Sequence, residues 1–508
     1  MQQLSGMDAA FLALETPAVT GHVGGLAILD PSNAPRPLTL DRLTALLAQR
    51  LHLVPLLRRR LVEVPFGVDQ PYWVDDPDFD LEFHVRELAI PAPGNDQQLC
   101  EQISRLHSRP LDRARPLWEM YLISGLAGGR MAVYTKIHHA AIDGVAGAEL
   151  MTTLLDLTRE GRVIADVPDY DPEPLPRRAG LLLRAAVTAG SHPRRAVRVT
   201  TNLLRFAPTL TQMATPFVRG LISRGEHDGG VIATAGPAPA TRLNRPITAH
   251  RRFAFRTVSL ADVKEIKNAV GVTVNDVFVA VSAAAIRRWL LDHDDLPDAP
   301  LVAMLPVALK VPRQGETPGN RVSAMFSAIP THLADPIERL KVANEATVVA
   351  KAQQAAIPEG LVEDVTEFFA PALAARAARL ASSMSLTSRI RPVNVVLSNV
   401  PGANIQVYLA GAEVLTYYPV SVVVEGVGLN ITVQSYNGGL HFGLIACREL
   451  VPDLERMADY IVEETEQLLS LVRRQPPADP FPAEAEVIRL PDAAEQTTPS
   501  GSSPGGRP

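Results

Sequence analysis

Between Arg177 and Arg224 the chain carries nine arginines and no acidic residue. Ahead of this run lies DVPDYDPEPLP (Asp166–Pro176), acidic and proline-rich; behind it come GEHDGG (Gly225–Gly230) and AGPAPATRLNRP. Proline and glycine at that density break helices and strands alike, so no continuous series of core-forming elements runs through the region. A chain of 508 residues interrupted in this way must build its core from the two flanking halves, each long enough for a domain. The reading is an N-terminal lobe over 1–165, a linker and Arg-rich crossover over 166–242, and a C-terminal lobe over 243–474. Residues 475–508 open as QPPADPFP, run out in Pro, Ser and Gly, and read as a disordered tail.

The formal charge of −6 averages a +9 crossover with a remainder at −15. That acidic remainder, with no recognition module, argues against nucleic acid as a partner. At 46% apolar residues the chain is too hydrophobic to be disordered. Its two cysteines, Cys100 and Cys447, exclude a disulfide scaffold and a Cys-rich metal site, and fit a reducing cytoplasm. MQQLSGMDAAFLALE lacks the basic and apolar regions of a secretory signal. No apolar run approaches the ~18 residues of a membrane span. The crossover itself combines arginine with LLLRAAV, NLLRF and PFVRGLISR, a composition suited to an anionic lipid surface. Prolines at 193, 208 and 216 divide it into short pieces.

Within the halves, strand-like and helix-like stretches alternate, which predicts α/β lobes. MAVYTKIHH (Met131–His139) reads as a strand and Gly144–Leu157 as a helix with Leu150, Leu154 and Leu157 on one face. ADVKEIKNAV and VNDVFVAVSAAAIRRWLLDH read as helices, the second with Asn-Asp suited to capping its start. NVVLSNVPG reads as a strand, and VSVVVEGVGLNITVQSY with GGLHFGLIA as a buried hairpin.

The chemistry concentrates at His138-His139-Ala140-Ala141-Ile142-Asp143-Gly144. Neighbouring strand residues point to opposite faces, so the two imidazoles do not converge on one metal ion; one faces the core and the other a cleft. A neutral histidine accepts a proton near neutral pH. Asp143 is placed to brace the loop and Gly144 to let it turn tightly. Other routes find little support. The chain has no H-E-x-x-H, Walker A or G-x-G-x-x-G motif. Its single G-x-S-x-G match, Gly501–Gly505, lies in the tail. Both cysteines read as inert thiols. No metal or resident cofactor is indicated, and a direct base-assisted transfer is the simplest chemistry.

HHAAIDG matches the HHxxxDG motif of the coenzyme A-dependent acyltransferase superfamily. The chain as a whole resembles its bacterial wax ester synthase/diacylglycerol acyltransferase family. LSGMDAAFLALE is similar to that family's LSxxDxxFLxxE start and is followed by HVGGLAILD. Pro116-Leu117-Trp118 resembles its PLW element and Asn275-Asp276 its Asn-Asp pair. GNRVSAMFSAIPT, DPIERL and NVVLSNVPG follow in order, so the likeness spans about residues 3–472.

The resemblance implies two chloramphenicol-acetyltransferase-like lobes, each a mixed sheet with helices, around an active-site tunnel. It implies acyl transfer from long-chain acyl-CoA, a co-substrate, to diacylglycerol or a long-chain alcohol. His139 is implied as general base beside His138, with Asp143 fixing the loop and Gly144 turning it. Asn275 and Asp276 are implied to support the site or the interlobe packing. Pro116, Leu117 and Trp118 are implied as acyl-pocket or fold elements, with plain core packing equally open. Another acceptor, or a weakly active lipid-droplet protein, also remains open, as does peripheral attachment of a cytoplasmic enzyme through Arg177–Arg224. Two departures stand out: TGHVGG where many members have PMHVGG, and PVALKVP where PVS-x-R is common. Neither is expected to touch His139.

Overall fold

The computed structural model describes residues 1–142, 150, 152–164, 169–190, 238–308, 322–355 and 391–474. Asp143, Gly144, most of the arginine run and the tail lie outside them.

Fifteen strands form three sheets among the described residues. In chain order they are β1 (Gln2–Gln3), β2 (His22–Asp30), β3 (Arg59–Val62), β4 (Tyr72–Asp75), β5 (Val85–Gly94), β6 (Trp118–Leu126) and β7 (Met131–His138). The second half adds β8 (Arg251–Ser259), β9 (Leu301–Ala308), β10 (Val322–Ile329), β11 (Val395–Val400), β12 (Tyr408–Leu409), β13 (Ala412–Val420), β14 (Leu429–Tyr436) and β15 (Gly439–Cys447). One six-stranded sheet runs β12-β13-β2-β7-β6-β5 and the other β10-β9-β11-β14-β15-β8; a small sheet, β1-β4-β3, stands beside the first. Parallel pairs, β5 with β6 and β11 with both β9 and β14, mix with antiparallel ones, so both large sheets are mixed as expected.

The helices used below are α1 (Gly6–Ala13), α2 (Leu40–Arg50), α3 (Leu81–His84), α4 (Asp96–His107), α5 (Arg178–Gly190), α6 (Leu260–Val270), α7 (Val274–Leu291), α8 (Pro336–Ala355) and α9 (Leu454–Arg474). Their ends follow local chemistry. Asn95 and Gln98 form a reciprocal capping box at α4, and Gly271 ends α6 in the left-handed conformation at φ 78°. The cap of α7 is Thr273, not the Asn-Asp pair; Asp276 is the third helical residue and closes the box. No single described helix is long and apolar enough to cross a membrane.

Two expectations about elements change. Leu150 and Leu154 are buried, but Leu157 is 69% exposed. The helix stops at Leu154 because Asp156 is drawn into a buried two-pronged ion pair with Arg50, 2.8 Å to each oxygen, and its backbone pairs with Tyr408. The hairpin is β14 with β15; the preceding Val-Ser-Val-Val-Val is not part of it, because Val420 ends β13.

Strands β12 and β13 come after β11 in sequence, yet β13 pairs antiparallel with β2, so two strands from the second half complete the first sheet. The lobes also share an apolar core in which Leu26, Ile103 and Tyr134 join Phe253, Phe442 and Ile461. Where the edge strand β8 meets α4, Ser104 and Ser108 sit one turn apart. Their hydroxyls accept the Phe253 and Arg251 N–H groups at 2.9 and 3.0 Å. The edge is thereby covered.

Candidate active site

The site is built where β7 ends. His138 is its last residue, and His139–Ala141 form a single 3₁₀ turn. The His138 ring is 1% exposed, whereas His139 is partly exposed and stacks on Phe11 of α1, ring centroids 4.1 Å apart at 16°. One packed and one accessible imidazole is the expected division, but the strand ends at His138 and the turn, not strand alternation, sends His139 the other way.

His138 Nδ1 accepts the Ala140 N–H at 3.0 Å, so its ring caps the turn that carries His139. A nitrogen that accepts an N–H carries no proton, which places the proton of neutral His138 on Nε2. That atom is buried and stands 3.2 Å from Glu15 Oε1, without the alignment of a full hydrogen bond.

Glu15 follows α1. Its Oε1 also accepts the Gly21 N–H at 2.8 Å, and its Oε2 accepts Arg113 Nη2 and Nε at 2.6 and 3.1 Å. Burial pushes this carboxyl up, but His138, the Gly21 N–H and Arg113 override it and hold its pKa at about 2. Arg113 also donates to Leu12 O at 2.7 Å, fastening the end of α1. Gly21 is locked from both sides, since its carbonyl accepts the His139 N–H at 2.8 Å. A Cβ there would lie 2.6 Å from His138 Nε2. The departure at TGHVGG therefore does touch the backbone of His139, contrary to expectation.

Beneath the pair lies a buried polar floor. His22, opposite His138 across the β2–β7 pairing, is held to His107 O through Nε2 at 2.7 Å. His107 is held to Tyr134 Oη and to Ser421 O. Burial pushes His22 well down and His107 down to about 3, so both are neutral. Lys136, two residues before His138, pairs with Glu119 at 3.1 Å and donates to the Leu106 and Arg109 carbonyls. Burial lowers its pKa, and Glu119 opposes that.

The PLW residues lie beside the histidine pair. Leu117 O accepts the His138 N–H at 2.9 Å. Trp118 is buried, stacks on His84 at 4.5 Å and donates Nε1–H to Leu57 O; Pro116 is buried and bridges Arg60. Asn275 Oδ1 accepts from Asn399 Nδ2 of β11 at 3.3 Å. Asp276 takes Thr347 Oγ1 at 2.6 Å, Asn344 Nδ2 at 2.8 Å and the Thr273 hydroxyl at 2.7 Å, tying α7 to α8 inside the C-terminal lobe. Burial raises its pKa, and these donors lower it further than burial lifts it. Both thiols are buried, and burial pushes Cys100 up, away from thiolate.

Glu15, Phe11 and Arg113 are the site residues that sequence reasoning missed. Phe11, in α1, and Glu15, just after it, are the Phe and Glu of the LSxxDxxFLxxE start, which marked the positions without giving them a role.

A family model of the wax ester synthase/diacylglycerol acyltransferase catalytic domain matches residues 4–278. The model of the family's C-terminal domain matches residues 318–469. A putative diacylglycerol O-acyltransferase of Mycobacterium tuberculosis is 37% identical over 94% of this chain and 92% of its own length. Another from that organism is 36% identical over 92% and 99%. Among solved structures, the wax ester synthase/diacylglycerol acyltransferase from Marinobacter aquaeolei is similar at 30% identity and a TM-score of 0.64, covering 93% of this chain and all of that one. The starter condensation domain of rhizomide synthetase shares the fold at 13% identity and a TM-score of 0.51, over 93% and 94%. The chain therefore belongs to the wax ester synthase/diacylglycerol acyltransferase family.

Proposed function

We propose that this chain transfers long-chain acyl groups from coenzyme A to the free hydroxyl of diacylglycerol, and also to long-chain alcohols, with His139 as general base. One observation carries the assignment of the base. His138 is spent on capping the turn, whereas His139 stands on that turn partly exposed against Phe11. His139 takes the proton of the acceptor hydroxyl as its oxygen attacks the thioester carbonyl. The carbon–sulfur bond breaks, an oxygen ester forms, and the proton passes to the departing coenzyme A thiolate. The ester is the more stable linkage, so the protein's task is to bring two apolar substrates together and supply the base. No resident cofactor enters this chemistry. Asp143 and Gly144 hold and turn the loop after the histidines in this reading.

The acceptor is supported by the names of the relatives, diacylglycerol O-acyltransferases. His139→Ala should lower coenzyme A release from palmitoyl-CoA and diolein by about 10²–10⁴-fold; equal release by variant and wild type would sink the assignment. A screen with labelled acyl-CoA against diacylglycerol, monoacylglycerol and hexadecanol ranks the acceptors.

The Arg177–Arg224 segment rests, in this reading, on an anionic membrane or lipid-droplet surface. Its described part, α5, packs Leu181 and Ala185 against Val64, Tyr72 and Val74 and leaves Leu182, Leu183 and Val187 exposed. Phe66, 85% exposed, lies on the neighbouring turn. Replacing Arg194, Arg195 and Arg198 together by Glu should release the protein from anionic liposomes; unchanged flotation returns the segment to a packing role.

A further inference from the structure

We propose that Glu15 is a positioning residue for the acyl transfer: it selects the Nε2–H tautomer of His138, whose Nδ1 then caps the turn that aims His139. The inference rests on the reading of His139 as base.

Three observations converge. Nδ1 of His138 is committed to the Ala140 N–H, so Nε2 must carry the proton. That Nε2 is buried, and the acceptor facing it is Glu15 Oε1 at 3.2 Å. Glu15 is itself held rigidly, by Arg113 on Oε2 and by the Gly21 N–H on Oε1. The Thr16–Val19 turn, closed by backbone bonds in both directions, brings Glu15 and Gly21 together. With the other tautomer, a proton on Nδ1 would face the Ala140 N–H, donor against donor, and the cap would open. The position of His139 depends on that cap and on its own N–H to Gly21 O. Among the described residues Glu63 also approaches Arg113, at 3.7 Å, and Glu15 is the carboxylate that faces His138 Nε2. Gly21 permits the approach, since a Cβ would occupy the space of the His138 ring.

A carboxylate that orients one histidine so that the next is aimed is distinguishable from one that merely ties α1 to the sheet. Asn caps helical turns well and has no tautomer to choose. His138→Asn thus supplies a background in which Glu15 has lost its task. Glu15→Leu should lower kcat about 10- to 100-fold in the wild-type background, with KM for palmitoyl-CoA within about twofold. In the His138→Asn background the same change should cost less than about threefold. Glu15→Gln, which keeps an acceptor toward Nε2, should recover most of kcat. Nitrogen-15 spectra of histidine-labelled protein should show His138 as the Nε2–H tautomer in wild type and as a mixture in Glu15→Leu. Equal loss in both backgrounds, an unchanged kcat in Glu15→Leu, or an unchanged tautomer there would overturn the proposal. Turnover retained by His139→Ala would defeat the base assignment alone, and the tautomer spectra would still report on the clamp.

Discussion

Glu15 shows what one residue does to the acid behaviour of the whole chain. Its carboxyl is held at about 2 against an ordinary 4.5. A depressed carboxylate stabilises the fold above its unfolded pKa, and the contribution is lost as pH falls through the folded one. The window therefore lies between pH 4.5 and about 2. Glu15→Gln should be less stable than wild type in denaturant titrations at pH 6 and should converge on it as pH approaches 2; parallel curves would refute this. The histidine pair was legible in the sequence because its two residues are adjacent and end a strand. Glu15 was not, because its partners His138 and Arg113 lie about a hundred residues away in sequence and meet it only after β2 and β7 pair.

Helix α7 holds the corresponding lesson among the elements. Its existence and span were readable from a long apolar run, yet the cap was misplaced by two residues. The signal was Thr273-x-x-Asp276, the pattern of a capping box. Asp276 also reaches across to Asn344 and Thr347 of α8. Asp276→Ala would leave those donors, the Thr273 hydroxyl and the helix start unsatisfied, a loss of about 2–4 kcal/mol. Urea unfolding of the variant should show it, with KM for acyl-CoA unchanged. A KM increase at unchanged stability would instead give Asp276 a part in substrate binding. The helix ending at Leu154 was misread for a related reason: periodicity continues to Leu157, and only the distant Arg50 shows why the chain turns away.

Across the whole molecule, the mixed α/β character of the two large sheets was legible from the alternation of strand-like and helix-like stretches, but the return of β13 to the first sheet was not. Alternation marks a strand and the face it buries; it does not name the strand beside it. Residues 1–240 made alone would leave β2 without its β13 partner and should be insoluble. Co-expression with 241–508 should recover soluble, active protein; a soluble N-terminal piece with cooperative unfolding would contradict the shared sheet. The same pairing sets a clock on synthesis. Strand β2 leaves the ribosome early, yet its partner ends only at Val420. At about 5–20 residues per second, HVGGLAILD waits roughly 20 to 80 seconds as a bare, largely apolar edge, open to pairing with any other nascent strand until its own arrives.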